Sequence, residues 1–277
     1  MDENSAAAAS VSQPGIIFTV NDSGNDPMLF AFDTTGADRG RWRLEGARNR
    51  DWETVAVGRC EARGEQWCVF IGDVGDNSLS RPSVTIYRVA EPAPLARGGE
   101  GVLTPDVLRA RYPDSPHNVE TMVVAPDGAL LLLTKDVMRS ASGGLRPTMM
   151  YRLATGAWRA GAAAAAGAPA AAELVDSLPI VPRSRPGGQV TDAALSPDGH
   201  VLAVRTNAQL YAFVVDSATA RPLHDRAPAV CDLSALHQRQ GEGVGFVRWD
   251  GTIGRFALTS EGKREPLWLV NCPLPVR

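Results

Sequence analysis

One short unit is written several times along this chain of 277 residues. Each unit begins with a strand that opens with a carboxylate and makes a tight turn. A second strand follows and ends at a polar cluster, and a third strand carries an aromatic residue. The opening carboxylates are Glu53, Glu120, Asp192 and Glu242. An N-terminal unit that lacks its first strand ends its second strand at Asp22, so we count five units.

Repeats at intervals of roughly 50 to 70 residues, built from strands and turns, are typical of a β-propeller, whose blades bury their faces against neighbouring blades. Apolar runs such as VTIYRV, LLLLT and VLAVRT are bounded by turn-forming residues and show no helical period. The sequence therefore predicts an all-β fold, a single β-propeller of four-stranded antiparallel blades. Five blades are expected, and a sixth hidden in residues 91–116 or 154–190 stays open.

Composition sets further limits. A hydrophobic content of 44% over this length supports one large core. We expect residues 1–14 to form a flexible lead and residues 15–277 to form one propeller domain, with the ring closed by strands from the chain ends. A net charge of −3 gives no reason to expect a nucleic-acid partner. The absence of any run of 18 or more apolar residues argues against a membrane span.

Four cysteines bear on the cellular compartment. Cys60 and Cys68 flank the expected hairpin of one blade, where a bond across adjacent strands is geometrically reasonable. Cys231 and Cys272 then remain for each other. Four buried free thiols are the alternative. Two disulfides would indicate an oxidising compartment and a secreted or periplasmic protein whose signal peptide is absent from this chain.

Propeller geometry gathers the polar clusters on one face. The innermost strand of each blade starts on the face where its antiparallel second strand ends. The channel mouth is therefore expected to be an acidic ring with two cations in or near it, comprising Glu53, Glu120, Asp192 and Glu242, with Asp22, Asp73, Asp76, Lys135, Arg205, Asn207 and Glu261 further out.

Carboxylates that face one channel repel each other unless they are protonated, hydrated or neutralised. Oxygen ligands without Cys or His in the same register favour a hard cation such as Ca²⁺. We therefore predict Ca²⁺ as the cofactor, with Glu53, Glu120, Asp192 and Glu242 as its ligands. The alternatives are that these carboxylates cap backbone N–H groups of neighbouring blades or line a water-filled channel.

Three residues are candidates for catalysis. Glu120 and Asp73 are expected to take a proton, and His117 is a candidate acid or base because its ordinary pKa lies near neutrality. The alternative for His117 is a solvated loop histidine. Lys135, Arg205 and Asn207 are expected to bind an anionic substrate, although the two cations could instead pair with ring carboxylates.

Several short motifs carry a family resemblance. They are NDSG (21–24), DWETVAVG (51–58), IGDVGDN (71–77) with IYRV (86–89), YPDSPHNVE (112–120) and QGEGVGF (240–246). Together they resemble bacterial secreted propellers of the SdiA-regulated and phytase-like (esterase-like) families. The resemblance implies a calcium-bearing channel with Glu53, Glu120, Asp192 and Glu242 at the ligand positions. Asp192 departs from this pattern because its side chain is one carbon shorter.

The leading functional hypothesis is a secreted or periplasmic propeller that binds Ca²⁺ at its channel mouth and hydrolyses a phosphate or carboxylic ester of an anionic small molecule. The rival is a non-catalytic binding propeller, in which the ion is structural and the face recognises a peptide, a glycan or an envelope partner. We expect a monomer in either case.

Overall fold

The fold is a ring of five mainly antiparallel sheets, and it confirms the all-β prediction and the count of five blades. It is seen in a computed structural model that describes residues 4–140, 142–158, 168–181, 188–263 and 265–275. One strand at the end of each sheet contacts its counterparts in other sheets around a central channel.

Blades one and two each have five strands, which lie in sequence from the channel outward. Blade one contains β1 (Ala8–Ala9), β2 (Ile16–Val20), β3 (Met28–Asp33), β4 (Asp38–Leu44) and β8 (Glu100–Leu103). Blade two contains β5 (Trp52–Arg59), β6 (Trp67–Asp73), β7 (Val84–Ala90), β9 (Asp106–Arg111) and β13 (Ala170–Ala171).

Blades three to five follow in chain order. Blade three contains β10 (Val119–Val124), β11 (Leu130–Thr134), β12 (Thr148–Leu153) and β14 (Glu173–Leu178). Blade four contains β15 (Val190–Leu195), β16 (Val201–Thr206), β17 (Gln209–Val214) and β18 (Ala229–Asp232). Blade five contains β19 (Gly241–Trp249), β20 (Ile253–Ser260) and β21 (Trp268–Pro273).

The core lies between the faces of adjacent blades. Side chains of a strand point alternately to the two faces of its sheet, so the central strands are apolar on both sides. Between blades one and two, for example, Phe18 packs on Trp42, and Trp52 packs on Tyr87, within one buried cluster. Each blade is therefore stabilised by its neighbours and not by a core of its own.

The blades are not all four-stranded, which corrects that part of the prediction. Residues 91–116 supply β8 to the edge of blade one and β9 to blade two, while residues 154–190 supply β13 and β14 to blades two and three. Both β8 and β13 join their sheets in parallel pairing. The stretched repeat spacing thus reflects outer strands shared between neighbouring blades and not a sixth blade.

The N-terminal segment does not fit the expectation of a flexible lead over residues 1–14. Ala8 and Ala9 form β1, the innermost strand of blade one, which pairs with Phe18 and Ile17. Ala6, Ala7 and Ala8 are buried because an alanine-rich segment fits the narrow space beside the other inner strands. Alanine composition suggested flexibility, but in this ring it permits close packing around the axis.

Two disulfides confirm the predicted pairing. Cys60 is bonded to Cys68 across the hairpin of blade two. Cys231 in β18 is bonded to Cys272 in β21, so the bond links blade four to the last blade. Among the described residues, no helix has the length and apolar character needed to cross a bilayer.

Replacing Gly243 by alanine is expected to destabilise the ring. A Cβ at this position would lie 2.5 Å from the Ala7 nitrogen and 2.6 Å from the Ala6 carbonyl carbon, so the backbone that leads into β1 would have to move. We expect a loss of about 1–3 kcal/mol in the free energy of unfolding, as for an overpacked core, measured by urea denaturation. Gly156→Ala is the control, because a Cβ there meets nothing within 4 Å. Equal stability of the two variants would contradict the packing of the N-terminal segment.

Candidate functional site at the channel mouth

The channel mouth lies where the inner strands begin and the second strands end. Bridges between Asn4 and Asn21, Trp52 and Asp73, Val119 and Thr134, Val190 and Thr206, and Gly241 and Ser260 mark this level in the five blades. In blades two to five, the pairing between the inner strand and the second strand shifts by a residue directly after this bridge, on the side away from the mouth. The carboxylates at the openings of the inner strands therefore sit beside β-bulges, which re-aim side chains at the rim of a sheet.

The bulge places Asp192 differently from the other three carboxylates. Glu53 and Glu120 are the extra residues of their bulges, whereas in blade four that residue is Thr191. Asp192 pairs with Arg205 in the way that Thr121 pairs with Leu133. Its register therefore matches Thr54 and Thr121, and it lies one step deeper in the channel than the sequence repeat suggested.

Asp192 is fully buried and forms hydrogen bonds with three other inner-strand segments. One carboxylate oxygen accepts from the Ala7 nitrogen at 3.2 Å and from the Val244 nitrogen at 2.8 Å. The other accepts from the Thr121 hydroxyl and from its own neighbour, the Ala193 nitrogen. Burial raises the pKa of Asp192 to about 8, although these donors oppose the shift. Because both oxygens are occupied, Asp192 caps backbone N–H groups, which was the alternative to metal binding.

Three carboxylates of the mouth form a compact group. Asp22 follows β2, Asp51 precedes β5 and Glu53 lies in it, and one oxygen from each lies within 4.8 Å of the others. Among the described residues, no side chain or backbone donor forms a hydrogen bond or ion pair with the carboxylate of Asp51 or of Glu53. Burial, and then the charge of Asp22, raises the pKa of Asp51. Within the part of the chain that the structure describes, none of these three carboxylates forms an ion pair with a lysine or an arginine.

A glycine makes room for this carboxylate group. A Cβ at Gly75 would lie 2.5 Å from an Asp51 carboxylate oxygen and 2.8 Å from the Glu53 Cγ atom. The Gly75 nitrogen also donates to the Asp51 carbonyl oxygen at 3.2 Å. The loop after β6 thus packs closely against the two carboxylates, which explains the second glycine, Gly75, of the GDVGDN segment.

Lys135 is the cation of the channel mouth. Its Nζ lies 2.9 Å from a carboxylate oxygen of Glu120, and its side chain keeps 22% exposure. Burial works against the charged ammonium, but the charges of Glu120, Glu242 and Glu53 outweigh it and raise the pKa of Lys135. Burial together with the charge of Glu120 raises the pKa of Glu53 well above its ordinary value. One ammonium therefore contacts Glu120 and is also stabilised by the charges of two further glutamates.

Glu242 lies on the side of the mouth formed by blade five. One of its carboxylate oxygens accepts a hydrogen bond from the Gln240 side chain at 2.6 Å. Burial, and then the charge of Glu120, raises the pKa of Glu242 to about 8, and Lys135 only partly opposes this shift. Glu242 is thus a carboxyl of the mouth whose pKa lies close to neutral pH.

Asp73 and Asp76 belong to a structural network at the end of β6. Arg81 forms a buried ion pair with Asp73 at 2.8 Å, and its backbone nitrogen donates to Asp76. Asp73 also accepts from the Asp51 nitrogen. Asp73, which we expected to take a proton in catalysis, is therefore occupied in fixing the loops that carry the carboxylate group.

Arg205 does not share the position of Lys135, because it pairs with Asp192 one step below the mouth, whereas Asn207 directly follows β16 as Lys135 follows β11. Arg205 is fully buried, and its guanidinium donates to the carbonyl oxygens of Gly243 and Thr259. Burial lowers the pKa of Arg205 to about 10. The guanidinium thus links blade four to blade five. The side-chain oxygen of Asn207 is buried and has no hydrogen-bond partner within the described part of the chain.

His117 is buried, which corrects the alternative of a solvated loop histidine. One ring nitrogen forms a hydrogen bond with Asp136, and the other lies 2.7 Å from the Tyr151 hydroxyl and 3.1 Å from Asp114. Because both nitrogens are occupied, the ring is held inside blade three and does not face the channel.

Sequence reasoning missed four residues that shape the site. Asp51 is two residues before Glu53, and this spacing puts alternate side chains of an extended segment on one face, so a signal was present. Asn118 donates to Glu120 and to Asn77, and its side-chain oxygen accepts from the Asp76 nitrogen. Asp136 directly follows Lys135 in the polar cluster after a second strand, but no local pattern in the sequence reveals its partners or those of Arg81 and Asn118.

Below the mouth the channel is apolar. A small cavity of about 40 Å³ is lined by residues of all five inner strands, among them Ala8, Val55, Val123, Ala194 and Phe246. It is too narrow for a solute larger than a few water molecules. The middle of the channel therefore has no room for a small-molecule ligand.

Three solved structures align with most of this chain at low sequence identity. The Malassezia sympodialis allergen Mala s 1 is 10% identical, with a TM-score of 0.50 over 94% of this chain and 89% of that one. A luciferin-regenerating enzyme is 9% identical, with a TM-score of 0.44 over 99% and 77%. Virginiamycin B lyase from Staphylococcus aureus is 10% identical, with a TM-score of 0.43 over 99% and 66%. At these identities the likeness concerns the fold alone.

No protein-family model and no curated protein sequence matches the chain. The resemblance to the SdiA-regulated and phytase-like propellers therefore stays a prediction beyond the level of the β-propeller fold.

Stability is expected to fall as pH rises from about 5 to 8, and Glu242→Gln is expected to reduce this dependence. The pKa of Glu242 in the folded protein, about 8, lies above its ordinary value of 4.5, so unfolding releases a proton in this window. Each such group lowers the free energy of unfolding by at most about 1.4 kcal/mol per pH unit. Urea denaturation at several pH values measures the slope.

Glutamine imitates the protonated carboxyl at every pH, so the variant should have the flatter profile. Glu61→Gln is the control, because Glu61 is exposed in the hairpin between β5 and β6. An unchanged slope in Glu242→Gln would contradict the raised pKa.

Proposed function

We propose that this protein is a secreted or periplasmic β-propeller whose channel mouth binds a divalent cation of the calcium class and holds an anionic small molecule beside Lys135. The two disulfides support the oxidising compartment. The observation that carries the proposal is the group of Asp22, Asp51 and Glu53, whose oxygens lie within 4.8 Å of one another.

The donor set fits a hard cation. It offers carboxylate oxygens and no nitrogen or sulfur, which is the chemistry that Ca²⁺ prefers. The bare backbone of Gly75 leaves space against Asp51 and Glu53 that a larger residue would fill. The side-chain oxygen of Asn21, next to Asp22 in sequence, is buried without a hydrogen-bond partner. Of the four ligands expected from the sequence, this proposal keeps Glu53, and Asp22 and Asp51 take the place of Glu120, Asp192 and Glu242. Glu120 is instead paired with Lys135, and Asp192 caps backbone N–H groups.

A bound Ca²⁺ would supply positive charge to offset the carboxylate repulsion and a Lewis-acidic contact for an anionic oxygen. Lys135 would hold a second anionic oxygen, since its partly exposed ammonium is already oriented by Glu120. Asp73 and Arg81 would keep the cation-binding loops in place through their buried ion pair. The apolar cavity below would keep the ligand at the mouth.

Calcium is expected to raise the unfolding temperature of the EDTA-treated protein, because it binds only the folded state. At about 100 times the dissociation constant, a single site adds about 2.7 kcal/mol to the free energy of unfolding, which corresponds to a rise of roughly 5–10 °C for a protein of this size. Scanning calorimetry with Ca²⁺, Mg²⁺ or Zn²⁺ measures the shift and its selectivity.

Asp51→Asn and Glu53→Gln give the site-specific test. Both remove a repelling charge, so in EDTA these variants should be at least as stable as the wild type, yet they should lose the shift with Ca²⁺. Glu61→Gln, a charge change on an exposed hairpin, should keep the shift. A wild-type protein that does not respond to Ca²⁺, or variants that respond fully, would disprove the cation site.

Hydrolysis of a phosphate or carboxylic ester is the second candidate function, and Glu242 is the observation that favours it. A carboxyl with a pKa of about 8 can take a proton from an attacking water and return it to the leaving oxygen near neutral pH. Lys135, with Glu120 behind it, would bind the anionic group of the ester.

Turnover of p-nitrophenyl phosphate and p-nitrophenyl acetate tests this second function. If the protein is a hydrolase, Glu242→Gln should lower kcat by about 10²–10⁴-fold, the usual contribution of a general acid or base, and keep the Ca²⁺-dependent thermal shift. A thermal shift without turnover of either ester would favour the non-catalytic binding propeller.

A further inference from the structure

The buried histidine of blade three is linked to the lysine of the channel mouth. His117 lies in the loop before β10 and is 1% exposed. Its ring packs between Tyr112 and Tyr151, at centroid distances of 5.2 Å and 4.8 Å. Both ring nitrogens have partners inside this pocket, so the imidazole has a fixed orientation.

Asp136 connects the histidine to the backbone that carries Lys135. One Asp136 oxygen forms a hydrogen bond with the His117 ring, and the other accepts from the Asn118 nitrogen at 2.6 Å. The Lys135 nitrogen in turn donates to the Asn118 carbonyl oxygen at 2.9 Å. These hydrogen bonds hold the segment directly after β11 against the residues that precede β10.

The same two segments carry the ion pair of the mouth. Glu120 is the second residue of β10, and Lys135 directly follows β11. The Asn118 side chain also donates to Glu120, at 3.4 Å, so the connection reaches the carboxylate as well as the lysine. The position of the Lys135 ammonium at 2.9 Å from Glu120 therefore depends on the bonds that fix Asp136.

The charges around the ring support an imidazolium. The titratable groups that face His117 are Asp136, Asp114, Tyr112 and Tyr151. Burial opposes the charged ring, but the hydrogen bonds and charges of Asp136 and Asp114 outweigh it and raise the pKa of His117. Burial raises the pKa of both tyrosines, which remain neutral hydroxyls.

We propose that His117 is a positioning residue, which acts through Asp136 to hold the Lys135 ammonium against Glu120. The inference deepens the proposed function, because Lys135 is the group to which that proposal assigns the anionic ligand. It also gives His117 a role other than that of acid or base, since neither ring nitrogen is free to meet a substrate.

The composition of the chain allows a direct measurement. Lys135 and Lys263 are its only lysines, so protein labelled with ¹⁵N-lysine gives two side-chain amine signals by NMR. Lys263→Arg identifies the signal of Lys135. The pKa of Lys135 is then read from the pH dependence of that signal, without any cation or substrate.

His117→Gln is the test variant and His224→Gln is the matched control. His224 also forms a hydrogen bond with an aspartate, Asp176, at 2.7 Å, but it is exposed and belongs to the rim. In His117→Gln the Lys135 signal should shift and its pKa should fall towards the ordinary range of lysine, because Glu120 and Lys135 separate. In His224→Gln the signal should stay at its wild-type position.

A folded His117→Gln variant with an unchanged Lys135 signal would overturn the inference. If that variant does not fold, the wild-type protein decides the question: the Lys135 signal should move in step with the titration of His117, and a Lys135 signal that is independent of His117 would overturn the inference. If Lys135 responds but Ca²⁺ gives no thermal shift, the cation site fails and the positioning role of His117 stands.

Discussion

The ring depends on the hydrogen bonds that Asp192 makes at its axis. Inner strands of different blades do not pair as a sheet around the channel, so they need another connection there. The two oxygens of Asp192 accept from β19, from the threonine of β10 and from the segment that leads into β1. A buried N–H group without an acceptor costs about 1–3 kcal/mol, so this carboxylate stabilises three blades at once. The level of Asp192 also separates the acidic mouth above from the apolar channel below.

The mouth above this level has more negative than positive charge. Asp22, Asp51, Glu53, Glu120 and Glu242 meet there, and Lys135 is the cation among them. Arg81 and Arg205 do not offset this charge, because Arg81 is ion-paired with Asp73 and Arg205 donates to a carbonyl oxygen of blade five. Retaining so many partly desolvated carboxylates lowers stability unless protons or a cation neutralise them. This excess of negative charge is the physical reason for proposing that the mouth binds a cation.

Much of the fold could be predicted from the sequence because strand repeats and turn residues are local signals. The count of five blades, the two disulfides and the face on which Glu53 and Glu120 lie all follow from such patterns. Asp192 was misplaced because a bulge shifts the register by one residue and the repeat alone does not reveal it. His117 and Asp136 depend on contacts between separate segments of the chain, and no local pattern encodes them. The alanine run that includes β1 was misread because small residues are common in both loops and tightly packed strands.

The exchange of outer strands between blades bears on how the chain can fold as it is synthesised. Blade one waits for residues 100–103 before its outer edge is covered, and blade two waits for residues 170–171. The first inner strand, β1, packs against β19, which begins only at Gly241. Early blades therefore leave the ribosome with open edges, and the N-terminal strand lacks its last neighbour until most of the polypeptide has emerged. Such a ring matures as a whole and not blade by blade, so a nascent chain of this kind has a prolonged need for protection from aggregation.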